Sequence, residues 1–136
     1  MKSAKKNRES EGVMLMQFLN NQHRQNYFDL LARDNTSDGD IERQALFFII
    51  AGESRLIEMV NRIYDFKERW IKPEVFQEGF ITSGYRALIA LGFNLYNGYD
   101  ESKSSVLDVF SSLDAEGKRL AMLAIALRFR MPVSQE

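Results

Sequence analysis

Three segments of the chain are apolar on nearly every side, and they constrain the fold more than any other feature. They read ALFFIIA (45–51), ALIALGF (87–93) and LAMLAIAL (120–127). A helix at the surface of a soluble protein has a single apolar stripe, so a helix without a polar face must be enclosed by others. The sequence therefore predicts an all-α fold, a compact bundle in which amphipathic helices surround central ones.

The size of the chain makes three enclosed helices hard to accommodate. A chain of 136 residues forms one domain by the usual size relation, and one central helix is expected in a domain this small. Either the other helices wrap the three segments closely, or an apolar flank of one helix forms an interface. We therefore expect self-association as a homodimer, a protein partner, or both.

Apolar residues at helical spacing predict five or six helices. NNQHRQNYFDLLARD (20–34) begins with an Asn cap, and Asp40 is placed to cap IERQALFFIIA (41–51). Gly52 is expected to end that helix in a left-handed conformation. The next stretch, ESRLIEMVNRIYDF (53–66), predicts a third helix.

The second half of the chain continues this pattern. Ser83 is expected to cap a long helix that stops at Asn97-Gly98, because Gly favours the left-handed residue after a helix. A short helix follows, with Val106, Leu107 and Phe110 on its inner face, and a last helix begins at Asp114. Between the two halves, Pro73 and Gly79 interrupt residues 66–82, so that stretch is predicted as a loop, a helical turn or a small hairpin.

The first twelve residues differ in composition from the rest. They carry three Lys and one Arg against two Glu and almost no apolar residues, which predicts a disordered basic arm ahead of one helical domain over 13–136. The whole chain has a net charge of -1, so it lacks the cationic surplus that phosphate neutralisation requires. Nucleic-acid binding is therefore not expected, and a weak contact through the arm is the alternative.

Composition also limits the compartment and the chemistry. The chain has no cysteine, which excludes disulfides, thiolate metal sites and Cys nucleophiles and fits a reducing cytoplasm. No apolar run approaches the roughly 20 residues that cross a bilayer. Gly-rich phosphate loops and the nucleophile elbow of hydrolases are missing, as is any cluster with metal-ligand spacing. We expect no cofactor, no metal and no enzymatic activity.

His23 is the single histidine and the starting point for the alternative function. Paired with Glu42 or Arg43, it could form a pocket between helices that binds a small molecule or catalyses an undescribed reaction. The structural interpretation is a histidine that bonds to the backbone, and we favour it because an acid–base site has no further support in the sequence.

Residues 92–105, GFNLYNGYDESKSS, end a buried helix with an unusual set of polar and aromatic side chains. Tyr offers a large contact area at low entropic cost, so Asn94, Tyr96 and Tyr99 are candidates for partner binding. Trp70, the one tryptophan, lies in the irregular stretch and is either a core residue or an exposed anchor. Plain packing explains most of these residues equally well.

Several blocks occur in a characteristic order: FLNNQHRQNYFDLLARDNT, DIERQALFFIIAG, IYDF, ALIALGFNLYNGY and VLDVFSSLD, then a helix ending in LRF. They span roughly residues 17–130. This order resembles a family of small proteins of unknown function from Gram-positive bacteria, their phages and mobile elements. The resemblance implies a bacterial cytoplasmic protein and carries no catalytic residue or cofactor. It suggests an accessory protein that binds a host or defence protein. Protein binding is accordingly the function we expect.

Overall fold

The second helix of the chain is the element around which the others pack. In the computed structural model, which describes residues 16–79 and 81–133, the chain forms seven α-helices, one two-stranded hairpin and a 3-10 turn. The helices are α1 (Asn21–Asp34), α2 (Ile41–Ala51), α3 (Ser54–Glu58), α4 (Val60–Ile63), α5 (Ser83–Asn97), α6 (Val106–Ser111) and α7 (Ala115–Arg128). The hairpin comprises β1 (Tyr64–Asp65) and β2 (Trp70–Ile71), and the 3-10 turn spans Pro73–Gln77. The predicted all-α fold with a short hairpin is confirmed.

Local sequence accounts for the ends of the main helices. The side chains of Asn20 and Asp40 accept hydrogen bonds from backbone N–H groups in the first turns of α1 and α2, as expected. Gly98 ends α5 with a φ of 80°, the left-handed conformation predicted for it. At the start of α5 the cap is Thr82 and not Ser83, so that prediction was wrong by one residue.

The core is centred on α2. All residues from Ala45 to Ala51 are buried, and α1, α5 and α7 pack against this helix. The segment 87–93 of α5 is buried as well. In α7 the segment 120–127 leaves Met122 with 58% of its surface exposed. One chain therefore encloses two of the three apolar segments, and the third keeps an outward side. No helix in the described ranges is long and apolar enough to cross a membrane.

The predicted third helix is divided. Helical geometry is interrupted at Met59, with φ -105° and ψ 18°, and the chain becomes extended at Tyr64. The extended backbone lets the Tyr64 ring pack edge-on against Phe47, with ring centroids 5.0 Å apart. Burial of this aromatic ring outweighs the local helical spacing of the sequence, which is why helix prediction failed there.

Stretch 66–82 contains the tip and second strand of the hairpin. Tyr64 pairs with Ile71 and Asp65 with Trp70 in antiparallel register. The Asp65 carboxylate accepts the backbone N–H groups of Lys67 and Glu68, each at 2.9 Å, and thereby folds the tip. Of the three alternatives predicted for this stretch, the structure shows the small hairpin, and a 3-10 turn follows it.

Two further sequence predictions were wrong. Gly52 has a right-handed conformation, with φ -86°, and its role is spatial. A Cβ there would lie 2.5 Å from Leu120 Cδ1, so the missing side chain allows α7 to approach closely. In α6, Val106 and Leu107 are about three-quarters exposed while Val109 is buried. This helix has six residues and packs on α5 through its second half, so its first turn projects outward.

Candidate functional site

The hairpin tip is fixed to the core through the buried carboxylate of Asp34. Arg69 donates to it twice, from Nε to Oδ1 at 3.1 Å and from Nη2 to Oδ2 at 2.9 Å. Thr36 donates its hydroxyl at 2.6 Å, and Tyr64 donates its phenolic hydroxyl at 2.8 Å. Burial would raise the pKa of Asp34, but these hydrogen bonds outweigh it and lower the pKa below its usual value. Asp34 is therefore a fully bonded anion at neutral pH.

Arg43 extends these contacts from the first turn of α2. Its Nε donates to the Tyr64 hydroxyl at 3.0 Å, and its Nη1 donates to Asp40 at 2.8 Å. Its Nη2 donates to the Arg69 backbone carbonyl at 2.9 Å. We call these five residues, Asp34, Asp40, Arg43, Tyr64 and Arg69, the hairpin clamp.

The hairpin clamp suits a structural role better than catalysis. Burial and the bond to Asp34 raise the pKa of Tyr64 to about 12, so its hydroxyl stays protonated at neutral pH. The Asp34 side chain is fully buried, and both of its oxygens already accept hydrogen bonds. Such a network holds a segment in place and presents no free acid, base or nucleophile.

Trp70 follows the clamp directly and is 55% exposed. Its ring meets that of Tyr96 edge-on, with centroids 6.1 Å apart, and Tyr96 itself is buried. The Arg43 guanidinium lies 5.4 Å from the centroid of the Tyr96 ring on which Trp70 rests. The structure therefore brings two of the predicted partner-binding residues together, with Trp70 outermost.

Asn94 and Tyr99 form a separate pair. The Asn94 side chain donates to the Tyr99 carbonyl at 3.3 Å, and the Tyr99 ring packs against Phe76 and Phe93. Residues 94 and 96 of a helix are about 200° apart around its axis. The four predicted residues thus lie on two sides of α5 and do not form a continuous surface.

His23 is buried and bonded on both sides of its ring. Its Nδ1 accepts the backbone N–H of Leu19 at 3.0 Å, so its Nε2 carries the proton and donates to the Phe48 carbonyl at 2.8 Å. Burial lowers its pKa, and the bond to Phe48 opposes that shift only partly. Arg43 belongs to the hairpin clamp, about 7.5 Å earlier along α2 than Phe48, and Glu42 precedes it. The structure does not assemble His23, Glu42 and Arg43 into one pocket.

A cavity of about 340 Å³ lies between α2 and α7. One wall includes Phe48, whose carbonyl bonds to His23. Most of its lining is apolar, and the polar residues among the lining are Gln17, Asp38, Gln44 and Arg130. No group of three carboxylate or imidazole ligands occurs in the described part of the chain. This cavity is the candidate site for the alternative function, small-molecule binding, although His23 is not among the residues that line it.

The outer side of α7 carries a row of exposed apolar side chains. Met122 and Phe129 are 58% and 62% exposed and Ile125 is half-buried. Met131, just beyond the helix, is 54% exposed and also lines the cavity. The spacing 122, 125, 129 places the three helical residues on one side. We call Met122, Ile125, Phe129 and Met131 the α7 face. Part of this face lies in LAMLAIAL (120–127), one of the three segments that are apolar on nearly every side.

The α7 face is held in place at its C-terminal end. The Arg128 Nε donates to the Leu95 carbonyl at 2.8 Å, which ties the last turn of α7 to α5. The same guanidinium lies 5.6 Å from the centroid of the Phe129 ring. Phe129 is therefore an exposed aromatic ring on an ordered support.

Comparison with known proteins identifies a family. The sequence model of a family of unknown function, DUF6075, matches residues 14–136. Neither the curated proteins nor the solved structures include a significant match.

Proposed function

The chain belongs to the family of unknown function DUF6075, and we propose from its own surface that it is a non-enzymatic protein-binding module. The observation that carries this proposal is the α7 face. Three of its four large apolar side chains are more than half exposed. Scattered exposed apolar residues are common, whereas a row of them on one helix is typical of a docking surface.

The α7 face fits a recurrent mode of protein recognition. Amphipathic helices bind other proteins through residues at positions i, i+3 and i+7, which is the spacing of Met122, Ile125 and Phe129. Met adapts its shape to a partner and aromatic rings supply large contact areas. The anchoring of Phe129 beside Arg128 reduces the entropy lost on binding.

Trp70 stays a candidate for an additional contact. It is exposed above the buried Tyr96, and the hairpin clamp fixes the strand that carries it. Tyr96 then supports Trp70 from below, whereas Asn94 and Tyr99 lie on another side of α5. This arrangement makes Trp70 the residue of that group to test.

The proposal is tested by affinity capture from a lysate of cells that encode the protein, with quantitative mass spectrometry. Met122→Ser combined with Phe129→Ser should abolish recovery of the partner. The matched control is Val106→Ser with Leu107→Ser, which removes an even more exposed apolar pair on α6 and should leave recovery unchanged. Equal recovery by all three proteins would contradict the proposal, and Trp70→Ala tests the second contact.

We further propose a cytoplasmic protein of Gram-positive bacteria, their phages or mobile elements, which binds and modulates a host or defence protein. The absence of cysteine and the order of sequence blocks support this setting. If a host or defence protein is the target, expression in a host should alter that protein's activity. The Met122→Ser/Phe129→Ser variant should have no such effect.

The cavity between α2 and α7 favours a second candidate, the binding of a small apolar molecule. Its volume of about 340 Å³ lies within the range of known ligand sites. Ala126 lines the cavity and can be enlarged, so Ala126→Phe should fill the space. Native mass spectrometry after incubation with a cell extract should show a bound molecule on the wild type alone. An unmodified mass for both proteins would contradict this candidate.

A further inference from the structure

We infer that residues 16–19 form a strap at the wall of the cavity between α2 and α7, and that protonation of His23 releases this strap and opens the cavity. The inference rests on the second candidate function, small-molecule binding, and specifies how access to that site is regulated. It follows from the hydrogen bonds of the His23 ring and from the position of the strap.

The strap lies between two cavities. Residues 16–19 have neither helical nor strand structure and lead into the Asn20 cap of α1. Met16 and Gln17 line the cavity between α2 and α7, and they also line a second cavity of about 340 Å³ at the start of α1. The strap is therefore a wall that both cavities share, and its displacement joins them into one open groove.

Phe18 holds the strap against the helices. Its ring packs against the rings of His23, Tyr27 and Phe48, with centroid distances of 5.3, 5.6 and 5.6 Å. Phe18 and Leu19 are half-buried, whereas Tyr27 and Phe48 are fully buried. A segment that buries little apolar surface and lacks regular structure opens at a lower free energy than the core. The strap is therefore the part of this region that responds first to a change at His23.

Protonation of His23 alters one of its ring hydrogen bonds and keeps the other. In the neutral ring, Nδ1 accepts the Leu19 N–H at 3.0 Å and Nε2 donates to the Phe48 carbonyl at 2.8 Å. The protonated ring carries a hydrogen on both nitrogens, so both are donors. Nε2 then keeps its bond to α2, whereas Nδ1 points a donor at the donor of Leu19. Protonation therefore detaches the strap and leaves the contact with the core.

Asn20 limits the release to the strap. Its side chain accepts the backbone N–H of His23 at 2.8 Å, a bond that does not involve the imidazole ring. The cap of α1 is therefore independent of protonation, and α1 keeps its first turn. Asn20 is the point about which the strap moves.

The strap and α1 place no other titrating group against the His23 ring. The strap consists of Met, Gln, Phe and Leu, none of which titrates. On α1, Arg24 follows His23 directly and is exposed. Burial raises the pKa of Tyr27 above its usual value, so its hydroxyl stays neutral at physiological pH. The bond to the strap therefore depends on the protonation of His23 itself.

The α2 side of the imidazole is apolar apart from one carbonyl. The imidazole contacts the ring and the carbonyl of Phe48. Glu42 and Arg43 of α2 come six and five positions earlier, and Asp38 and Arg130, which line the cavity, are exposed. None of the ion pairs in the described part of the chain includes the imidazole.

Hydrogen exchange measured by NMR on the full-length protein tests the release. Burial lowers the pKa of His23, so the strap is bound at neutral pH and leaves as pH falls from 6.5 through the lower folded-state pKa. Between about pH 7.5 and pH 5, the protection factor of the Leu19 amide should fall about tenfold, as expected for one lost hydrogen bond. Its midpoint should coincide with that of the His23 ring nitrogens, and the α2 amides should stay strongly protected.

His23→Asn is the matched variant for this experiment. The Asn side-chain oxygen takes the place of Nδ1 and accepts the Leu19 N–H, but it does not titrate. Protection of the Leu19 amide should then be independent of pH over the same range. Circular dichroism checks that the variant folds, because the Phe48 carbonyl loses its donor. If the variant does not fold, the coincidence of midpoints in the wild type decides.

A thiol on the cavity wall measures opening without any ligand. The chain has no cysteine, so Ala126→Cys supplies a single reactive group in the cavity. Its rate of reaction with uncharged methyl methanethiolsulfonate is divided by the rate in the urea-unfolded chain at the same pH. This ratio should rise several-fold between neutral pH and about pH 5, and it should stay constant when His23→Asn is added.

Three results would overturn the inference. The first is a Leu19 amide that stays protected after the His23 ring has been protonated. The second is loss of protection at Leu19 and in α2 together, because the whole protein then unfolds. The third is a thiol ratio that does not change while the strap is released. Native mass spectrometry with Ala126→Phe tests small-molecule binding separately, so either idea can fail without the other.

Discussion

Arg69 and Arg130 share a backbone conformation but differ in what surrounds them. Both have left-handed φ values, 57° and 54°, which cost a non-glycine residue about 1–2 kcal/mol. Arg69 makes a bidentate ion pair with the buried Asp34, so the fold itself explains its conformation. Arg130 has no such partner in the part of the chain that the structure describes. The comparison separates an arginine whose conformation an internal ion pair explains from one for which the described residues supply no such pair.

The regions around the two arginines differ in the same way. The hairpin clamp joins α1, α2 and the hairpin, and its central groups are satisfied within the chain. The C-terminal end of α7 presents Phe129 and Met131 to the surface beside a cavity. A region whose polar groups are all paired stabilises the protein, and a region with exposed apolar side chains, whose cation has no partner among the described residues, is available to a partner.

The largest effect is expected at the centre of the clamp. Asp34→Asn removes the charge that Arg69, Tyr64 and Thr36 all bond, and should lower the free energy of unfolding by about 2–3 kcal/mol. Urea denaturation measures the change. Asp38→Asn is the control, because exposed substitutions are usually within about 0.5 kcal/mol of the wild type. Similar effects of both substitutions would show that the clamp does not stabilise the fold.

Arg69→Gly tests whether the ion pair outweighs the backbone strain. Gly relieves the left-handed conformation, but loss of the guanidinium leaves the buried Asp34 carboxylate with fewer donors. We expect a net loss of about 1–2 kcal/mol in the free energy of unfolding, reduced because Arg69 is partly exposed. A gain in stability would remove the distinction between the two arginines.

Arg130→Gly should act in the opposite direction. Arg130 has no partner to lose within residues 16–79 and 81–133, so relief of the left-handed conformation should raise the free energy of unfolding by about 1 kcal/mol. Urea titration measures this change in the free energy of unfolding, in the same experiment as Arg69→Gly. A decrease would mean that Arg130 stabilises the fold through a contact of its own.

The smallest expected effect is on the pH dependence of stability. The stabilising contributions of His23 and of the hairpin clamp are lost over different pH ranges. Burial lowers the pKa of His23, which bonds to the Phe48 backbone beside the cavity. The unfolded chain therefore binds the proton more readily. The stabilising contribution is complete above pH 6.5 and is lost as pH falls from there through the lower folded-state pKa. Wild-type stability should fall between pH 7.5 and 5.5 in urea titrations.

The matched variant for this prediction is His23→Gln, whose stability should change less over the same pH range. The pKa of Asp34 is lowered from 3.8, so the clamp contributes fully above that value and is lost only in stronger acid. An identical pH dependence in wild type and variant would exclude His23 as the source.

Sequence alone determined the elements whose signals are local. The apolar segment 45–51 predicted a buried central helix, and Asp40 and Gly98 predicted helix ends, because caps and helical spacing depend on residues a few positions apart. The excess of apolar surface on three segments made an outward apolar flank one of two alternatives, and the structure places it on 120–127.

Tertiary structure decided the rest. Asp34 bonds to Tyr64 and Arg69, which follow it by 30 and 35 residues, and no short-range pattern indicates such a contact. Burial of Tyr64 interrupts a helix that the local sequence favours. The close approach of Leu120 on α7 explains why position 52 holds a residue without a side chain. Packing between distant segments sets these features, because the free energy of burying an aromatic ring or pairing a buried charge exceeds local conformational preferences.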